Sequence, residues 1–187
     1  MTVTPLAVDG AFALAPDPVR DERGWFARIW DAEQLTPAGM PARFVQQSAA
    51  WNARAGTLRG LHVARPPAGE AKIVRCVRGA ALDVIVDLRP ASPTFRRVAA
   101  LRLDDESRRA VYVPPGCAHG YQTLLDATEL LYDIGEAYRP ELASGVAFDD
   151  PQLAIAWPLP VSVISERDRA LPSVDNYLAT IAAEVSL

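Results

Sequence analysis

Short segments in which hydrophobic and polar residues alternate fill the middle of the chain. In residues 82–88, Leu82, Val84 and Val86 share one face, whereas Asp83 lies on the other. This period of two is typical of half-buried β-strands, and glycine and proline turn signals separate the segments. The pattern predicts eight strands, at 25–30, 57–63, 72–78, 82–88, 95–103, 110–113, 121–124 and 129–134. Regular short strands of this kind favour a β-sandwich or barrel.

Helical patterns are few. Asp31 precedes a run typical of one or two capped turns over residues 31–35. A hydrophobic stripe with helical spacing follows Ser173 or Asp175, and it predicts a C-terminal helix that closes the core or a dimer contact. The residues of this stripe are Leu178, Ile181, Ala182 and Val185. Residues 165–168, just before that helix, are expected to form a loop.

Composition and charge narrow the class of protein. The 187 residues fit a single domain, 1–187, and the net charge of −4 makes nucleic-acid binding a poor prospect. No basic residue precedes Arg20, and no apolar run approaches the roughly 18 residues of a membrane span. We therefore expect a cytoplasmic protein that has neither nucleic acid nor membrane as a partner.

Two residue types are scarce, and this limits the chemistry. Cys76 and Cys117 are the only cysteines, which excludes a disulfide framework. His62 and His119 are the only histidines, which argues against a metal site built from several histidines. A base working near neutral pH must therefore be one of these two histidines, or a retuned carboxylate or lysine.

Residues 56–62 place a fixed cation, Arg59, near a titratable base, His62, at the end of one predicted strand. Gly60 leaves a face open there, which allows close approach by a ligand or by another backbone. A strand histidine is also commonly a structural residue with satisfied hydrogen bonds. From these residues alone, both interpretations stay open for His62.

Residues 113–120 surround His119 with two prolines and two glycines, which predicts a rigid loop feeding a strand. His119 either orders this turn or contributes to a site. Cys117 lies two positions earlier, but the prolines and the glycine argue against the extended backbone that would align it with His119. A nucleophilic Cys117 is therefore disfavoured.

Tyr132 lies on the apolar face of its predicted strand, with Leu130 and Ile134. A buried tyrosine needs a hydrogen-bond partner for its hydroxyl, and a ligand can be that partner. Packing in the core is the alternative explanation. For the charged segments 165–168 and 21–26, a solvated loop is the simplest interpretation.

Read together, these segments occur in an order that identifies a family. The matching stretches are Arg23-Gly-Trp-Phe26, Arg54-Ala-Gly-Thr-Leu-Arg-Gly-Leu-His62, Lys72-Ile-Val74, Asp83-Val-Ile-Val-Asp-Leu-Arg89, Ser92-Pro-Thr94, Pro114-Pro-Gly-Cys-Ala-His119, Leu131-Tyr132, Tyr138-Arg-Pro-Glu141, Asp149-Asp-Pro151, Trp157-Pro158 and Ser165-Glu-Arg-Asp168. The chain resembles the dTDP-4-dehydrorhamnose 3,5-epimerase family, the cupin-fold nucleotide-sugar epimerases. Each stretch alone is weak, whereas the ordered set is specific.

The resemblance implies a mainly β jelly-roll (cupin) barrel with short helices and a C-terminal helix. It implies a homodimer that works without a metal or organic cofactor on a nucleoside-diphosphate 4-keto-6-deoxy sugar. The first cupin motif often carries two metal-binding histidines, but the corresponding stretch from His62 to Lys72 lacks the second one. The family's motif therefore agrees with the histidine count.

The resemblance also assigns roles. His62 would be the base that removes a proton next to the C4 ketone, and Asp168 would orient and stabilise it. Tyr132 would be the acid on the opposite face, and Lys72 would stabilise the enolate oxygen. The implied substrate-binding residues are Arg23, Phe26, Gln47, Arg59, His119 and Arg167.

Several positions depart from the family's usual residues. These are Arg28, Val63, Ala64, Cys117, Asp133 and Ala143. Because these departures concentrate near the expected nucleotide and pocket positions, they leave open the base, the sugar and whether C3, C5 or both are inverted. A 3,4-ketoisomerase that reuses the same enolisation, or a non-catalytic cupin that only binds a sugar nucleotide, are the alternatives.

Overall fold

The computed structural model describes residues 1–185, apart from the side chain of Val185, and two antiparallel sheets face each other in it. The first sheet has six strands: β1 (Thr2–Pro5), β2 (Phe12–Ala15), β5 (Gln46–Asn52), β7 (Lys72–Arg78), β10 (Ala110–Val113) and β12 (Thr128–Ile134). The second has five: β6 (Leu58–Ala64), β8 (Ala80–Asp87), β9 (Val98–Asp104), β11 (Cys117–Thr123) and β13 (Ala143–Gly145). The spatial orders are β1-β2-β10-β7-β12-β5 and β13-β6-β11-β8-β9.

The remaining elements are short. A separate hairpin pairs β3 (Val19–Asp21) with β4 (Gly24–Phe26). The α-helices are α1 (Ala32–Leu35), α2 (Glu166–Arg169) and α3 (Val174–Val185), and two 3₁₀ turns lie at Thr36–Ala38 and Pro140–Leu142. Within residues 1–185, none of the helices has the length and apolar character needed to cross a bilayer.

Three hydrophobic layers hold the sheets. Residues of both sheets, among them Val74 of β7 and Ile85 of β8, form the core between them. On the outer face of the five-stranded sheet, Val84 and Val86 pack with Tyr177 of α3. A third layer on the outer face of the six-stranded sheet includes Leu35 of α1 and Tyr112 of β10, among other residues. Both faces of β8 are therefore covered, which explains why nearly all of its residues are buried.

The alternation of the sequence predicted the architecture well. A mainly β fold with a C-terminal helix is confirmed, and Ser173 is the residue that caps that helix, its Oγ accepting from the Asn176 N–H at 3.3 Å. The predicted strand at 25–30 is wrong beyond Phe26, because residues 27–30 leave the hairpin. The side chain of Val185, the last of the predicted stripe, lies outside the described residues.

The loop predicted for 165–168 is also wrong. The Ser165 Oγ accepts from the Asp168 N–H at 3.0 Å, and this cap starts the single helical turn α2. Residues 117–120 were expected in a rigid loop, yet they belong to β11 and pair along their length with β8. Cys117 and His119 therefore share one strand after all.

A β-bulge in β6 sets the direction of the site residues. Arg59 pairs with Tyr121 and His62 pairs with His119, so three steps along β6 face two along β11. In a regular strand, residues three apart point to opposite faces. Because of the bulge, Arg59 and His62 line the same cavity.

The bulge depends on glycine at two facing positions. Gly60 has φ +125°, and a Cβ placed on it would lie 2.6 Å from the Gly120 Cα. A Cβ on Gly120 would lie 2.7 Å from the Arg59 carbonyl oxygen. Of the two partners that the sequence left open for Gly60, it is therefore another backbone that fills the space.

Replacing Gly60 with alanine should destabilise the fold more than the same change at Gly24. Both glycines have φ +125°, but Gly24 has no atom within 4 Å of its Cβ position, so it serves as a matched control. The backbone strain of about 1–3 kcal/mol is common to both variants, and overpacking adds about 1–3 kcal/mol at Gly60 only. Urea unfolding measures the difference, and equal losses would contradict the importance of the Gly60–Gly120 contact.

Candidate active site

A cavity of about 330 Å³ opens between the two sheets, a size suited to a small ligand. Residues of β5, β6, β11, β12 and β13 contribute much of its wall, together with Lys72 of β7 and the segment that follows β12. Its charged and aromatic lining side chains include Arg59, His62, Lys72, His119, Tyr121, Tyr132 and Arg167. The fold thus brings together seven polar groups that lie up to 108 residues apart in sequence.

His62 and Asp168 form a hydrogen-bonded pair at the rim of this cavity. The His62 Nε2 lies 2.8 Å from the Asp168 Oδ1, and the second carboxylate oxygen accepts from the Gly60 N–H at 3.0 Å. Burial alone would raise the pKa of Asp168, but hydrogen bonds from His62 and Gly60 outweigh it and hold that pKa below its ordinary value. Asp168 is therefore a carboxylate that fixes the orientation of the imidazole, while 37% of the His62 side chain stays exposed.

A second, buried pair lies deeper in the barrel. The His119 Nε2 is 2.8 Å from the Asp83 Oδ2, and both side chains are almost fully buried. Burial raises the pKa of Asp83, and the charges of His119 and Lys72 offset part of that rise. The Asp83 Oδ1 has no hydrogen-bond partner among the described residues. The His119 ring packs against Tyr132 in a T-shaped arrangement, with 6.0 Å between ring centroids.

Tyr132 faces His62 across the cavity. It lies on β12 of the six-stranded sheet, whereas His62 lies on β6 of the five-stranded sheet. Burial raises the pKa of Tyr132 well above its ordinary value, and the neighbouring Tyr121 and Asp83 raise it further. The cavity therefore presents a protonated phenol on one wall and an imidazole on the other.

The cations of the cavity differ in their partners. The Lys72 Nζ lies 2.9 Å from the Glu70 Oε1, with both side chains largely buried. Gly69 and Ala71, on either side of Glu70, are each hydrogen-bonded to residues 135–136, which fixes the segment that carries it. Arg59 and Arg167 have no carboxylate partner within residues 1–185, so they remain available to an anion.

Three predicted binding residues lie outside this cavity. The side chains of Arg23 and Phe26 project from the β3–β4 hairpin, where Phe26 is 77% exposed and Arg23 pairs with Asp21. Gln47 lies on β5, where its Nε2 donates to the Asp133 Oδ1 at 2.9 Å. It borders a different depression, on the outer face of the six-stranded sheet. Within one chain, the structure does not bring these residues to His62.

Three further residues of the site carried no assignment from the sequence. Tyr121 lines the cavity, Asn52 accepts from the Tyr121 hydroxyl at 3.1 Å, and Asp83 holds His119. A charge within the apolar alternation of β8 is the signal that could have identified Asp83. No comparable signal marked Asn52 or Tyr121, because their role depends on pairing between strands that are distant in sequence.

The unusual positions fall into two groups. Val63, Ala64 and Ala143 line the cavity, so they contribute to its shape. Arg28 pairs with Asp31, Asp133 pairs with Arg75, and Cys117 is buried, all away from the cavity. Burial raises the pKa of the Cys117 thiol to about 12, which agrees with the expectation that it is not a nucleophile. Within residues 1–185, no cluster of three or more His, Cys, Asp or Glu residues has metal-site geometry.

Comparison with known proteins relates this site to enzymes that act on nucleotide sugars. The sequence profile of the dTDP-4-dehydrorhamnose 3,5-epimerase family matches residues 5–176. A dTDP-4-dehydrorhamnose 3,5-epimerase from Methanothermobacter thermautotrophicus is 41% identical over 87% of this chain and 89% of its own. A dTDP-4-dehydrorhamnose 3-epimerase from Streptomyces niveus is 40% identical over 90% of this chain and 82% of its own.

Solved structures show the same similarity. A 4-keto-6-deoxy sugar epimerase from the novobiocin biosynthetic gene cluster of Streptomyces spheroides superposes with a TM-score of 0.90 and 37% identity. The match covers 96% of this chain and 90% of that structure. The expected mainly β jelly-roll barrel with a C-terminal helix is thereby confirmed.

Replacing Asp168 with asparagine should lower the free energy of unfolding at neutral pH. It should also make that free energy less dependent on pH in the acid range. The pKa of Asp168 is lower in the folded chain than the value of about 4 in the unfolded one. Between these two values the unfolded chain binds more protons, so stability is lost as pH falls through that range. We expect a loss of about 1.5–3 kcal/mol at pH 7 and a shallower acid limb, measured by urea unfolding from pH 7 to pH 3. The exposed Asp149→Asn change is the control, and identical acid limbs in wild type and Asp168→Asn would contradict this prediction.

Proposed function

This chain belongs to the dTDP-4-dehydrorhamnose 3,5-epimerase family of isomerases, and we propose that it inverts C3, C5 or both in a dTDP-linked 4-keto-6-deoxy sugar. The observation that carries this proposal is the placement of His62 and Tyr132 on opposite walls of one cavity. Inversion requires that a proton leave one face of a carbon and that another arrive on the opposite face. A base and an acid that face each other across the bound ring meet this requirement.

Proton removal falls to His62. The protons on C3 and C5 are acidified by the C4 ketone, because their removal gives an enolate. The neutral imidazole of His62 takes one of them as a general base. Asp168, 2.8 Å away, then stabilises the imidazolium that forms.

The enolate must be held while the proton is exchanged. Lys72 supplies the positive charge for the C4 oxygen, and its contact with Glu70 keeps the ammonium group in place. A fixed cation in a site shielded from water is worth several kcal/mol to a developing oxyanion. Tyr132, still protonated, then delivers its proton to the carbon from the opposite face and becomes a phenolate.

The diphosphate is the most strongly charged part of the substrate. Arg59 and Arg167 face the cavity without a carboxylate partner within residues 1–185, and they can donate hydrogen bonds to its oxygens. His119 contributes a polar group deeper in the same cavity. This local positive charge allows a chain with a net charge of −4 to bind a dianion.

The active form of the protein is a homodimer in this proposal. Arg23 and Phe26 are expected to bind substrate, yet they project into solvent from a hairpin that pairs with no other strand of the described chain. β5 is a seven-residue edge strand beside the cavity, and within residues 1–185 no strand pairs with its outer side. A second copy whose hairpin reached this edge would bring Arg23 and Phe26 toward the cavity and cover the exposed strand.

Deuterium exchange measures the proposed chemistry directly. The wild type should incorporate solvent deuterium at C3, C5 or both of a dTDP-4-keto-6-deoxy sugar and invert the same carbons, as read by NMR. His62→Ala should lose both exchange and inversion by about 10²–10⁴-fold, because the general base is gone. Tyr132→Phe should retain exchange and lose inversion, because only the return of the proton to the opposite face is blocked.

The outcomes separate the alternatives. Wild-type protein that exchanges no deuterium is a binding protein, and one that moves the ketone between C4 and C3 is a ketoisomerase. Normal inversion in His62→Ala refutes the base assignment, and normal inversion in Tyr132→Phe refutes the acid assignment. Arg102→Ala, on β9 and outside the cavity, is the control that should leave both rates unchanged.

Mixing two inactive variants tests the dimer. Arg23→Ala should weaken substrate binding and His62→Ala should abolish chemistry. If the hairpin serves the partner's cavity, a heterodimer has one intact site, so an equal mixture should recover about one quarter of wild-type activity. Sedimentation should show a dimer for each variant. A mixture no more active than its components, or a monomeric wild type, would overturn this arrangement.

A further inference from the structure

When Tyr132 gives its proton to the sugar carbon, it becomes a phenolate, and the surroundings of Tyr132 disfavour that negative charge. Burial raises the pKa of Tyr132 well above its ordinary value, and the Asp83 carboxylate raises it further. A phenolate formed at this position is therefore costly unless a hydrogen-bond donor reaches it. Lys72 is already paired with Glu70 and is assigned to the enolate oxygen. The site needs another donor close to the Tyr132 hydroxyl.

Tyr121 occupies the required place. It lines the cavity on β11, packs in the same hydrophobic cluster as Tyr132, and contributes to the raised pKa of the Tyr132 hydroxyl. Burial raises the pKa of Tyr121, and the charge of Arg59 offsets part of that rise. While the Tyr121 hydroxyl donates its only proton to Asn52, its oxygen can act toward Tyr132 only as an acceptor.

The proton of Tyr121 has its own acceptor. The Tyr121 hydroxyl donates to the Asn52 Oδ1 at 3.1 Å, and the Arg59 Nε donates to the same oxygen at 2.9 Å. The amide nitrogen of Asn52 donates to the carbonyl oxygens of Ala50 and Thr128, at 3.2 and 3.1 Å, which fixes the direction of its oxygen. The Asn52 Oδ1 therefore still accepts a hydrogen bond from Arg59 when the Tyr121 hydroxyl turns away from it.

We propose that Tyr121 is a positioning residue for proton return, whose hydroxyl turns from Asn52 to the Tyr132 phenolate when Tyr132 gives its proton to the sugar. This inference rests on the proposed function, because it takes Tyr132 as the acid. The only covalent changes are the O–H bond broken at Tyr132 and the C–H bond formed on the sugar; Tyr121 keeps its proton. When Tyr132 regains a proton from solvent, Tyr121 returns to Asn52.

Tyr121→Phe tests the proposal because it removes one oxygen and keeps the ring of a fully buried residue. Inversion should fall about 10- to 100-fold, the usual worth of a hydrogen bond to a charged group. Deuterium exchange should persist, because His62 still removes and returns a proton on its own face. The ratio of exchange to inversion should therefore rise, with the KM for the dTDP-4-keto-6-deoxy sugar unchanged. Tyr112→Phe, buried on the outer face of the other sheet, is the matched control.

Two results would overturn the inference. The first is a Tyr121→Phe variant with wild-type rates and an unchanged ratio of exchange to inversion. The second is an equal fall of exchange and inversion in that variant, which would show that Tyr121 only packs in the core. If Tyr132→Phe inverts normally, the proposed function fails instead, so the two failures are distinguishable. Should Tyr121→Phe be unstable, a fluorotyrosine at position 121 keeps the fold and makes the hydroxyl a stronger donor. The protein with this fluorotyrosine should have a ratio of exchange to inversion below that of wild type, and any other ratio contradicts the proposal.

Discussion

The carboxylate of Asp168 connects the fold of this protein to its chemistry. One oxygen accepts from the backbone of Gly60 in the β6 bulge, and the other holds the imidazole of His62. The same side chain thus fixes a backbone irregularity and the group that the irregularity presents to the cavity. Ser165 caps the turn that carries Asp168, so a few local hydrogen bonds from the C-terminal part of the chain complete the wall of the barrel.

The two sheets contribute different polar groups to the cavity. The five-stranded sheet supplies the imidazole and the Asp83–His119 pair, whereas the six-stranded sheet supplies Lys72 and Tyr132. Because the strands are covered on their outer faces, sheet packing rather than loops sets the separation of the His62 imidazole and the Tyr132 phenol. Three carboxylates in the barrel interior are paired with Lys72 or with the histidines, whereas Arg59 and Arg167 have no carboxylate partner within residues 1–185.

The sequence predicted several strands of the two sheets, such as β7, β8 and β12, but not the short strands β1, β2, β3 and β13. It did not predict β5, whose residues are mostly exposed and whose position depends on pairing with β12. Motif order pointed to His62, Tyr132 and Asp168, and the structure places His62 and Tyr132 in one cavity with Asp168 in contact with His62. Periodicity could not reveal the bulge, because it arises where two glycines from distant strands meet. For the same reason Asn52 and Tyr121 could not be recognised before the strands were placed together.

The contact between Gly60 and Gly120 has a consequence for engineering. Since each glycine meets backbone atoms of the other strand, a side chain added at one position cannot be accommodated by shrinking a residue at the other. Saturation libraries at these two positions would consist almost entirely of misfolded proteins. Val63, Ala64 and Ala143 line the same cavity with small or medium side chains, so variation aimed at a new substrate range belongs there.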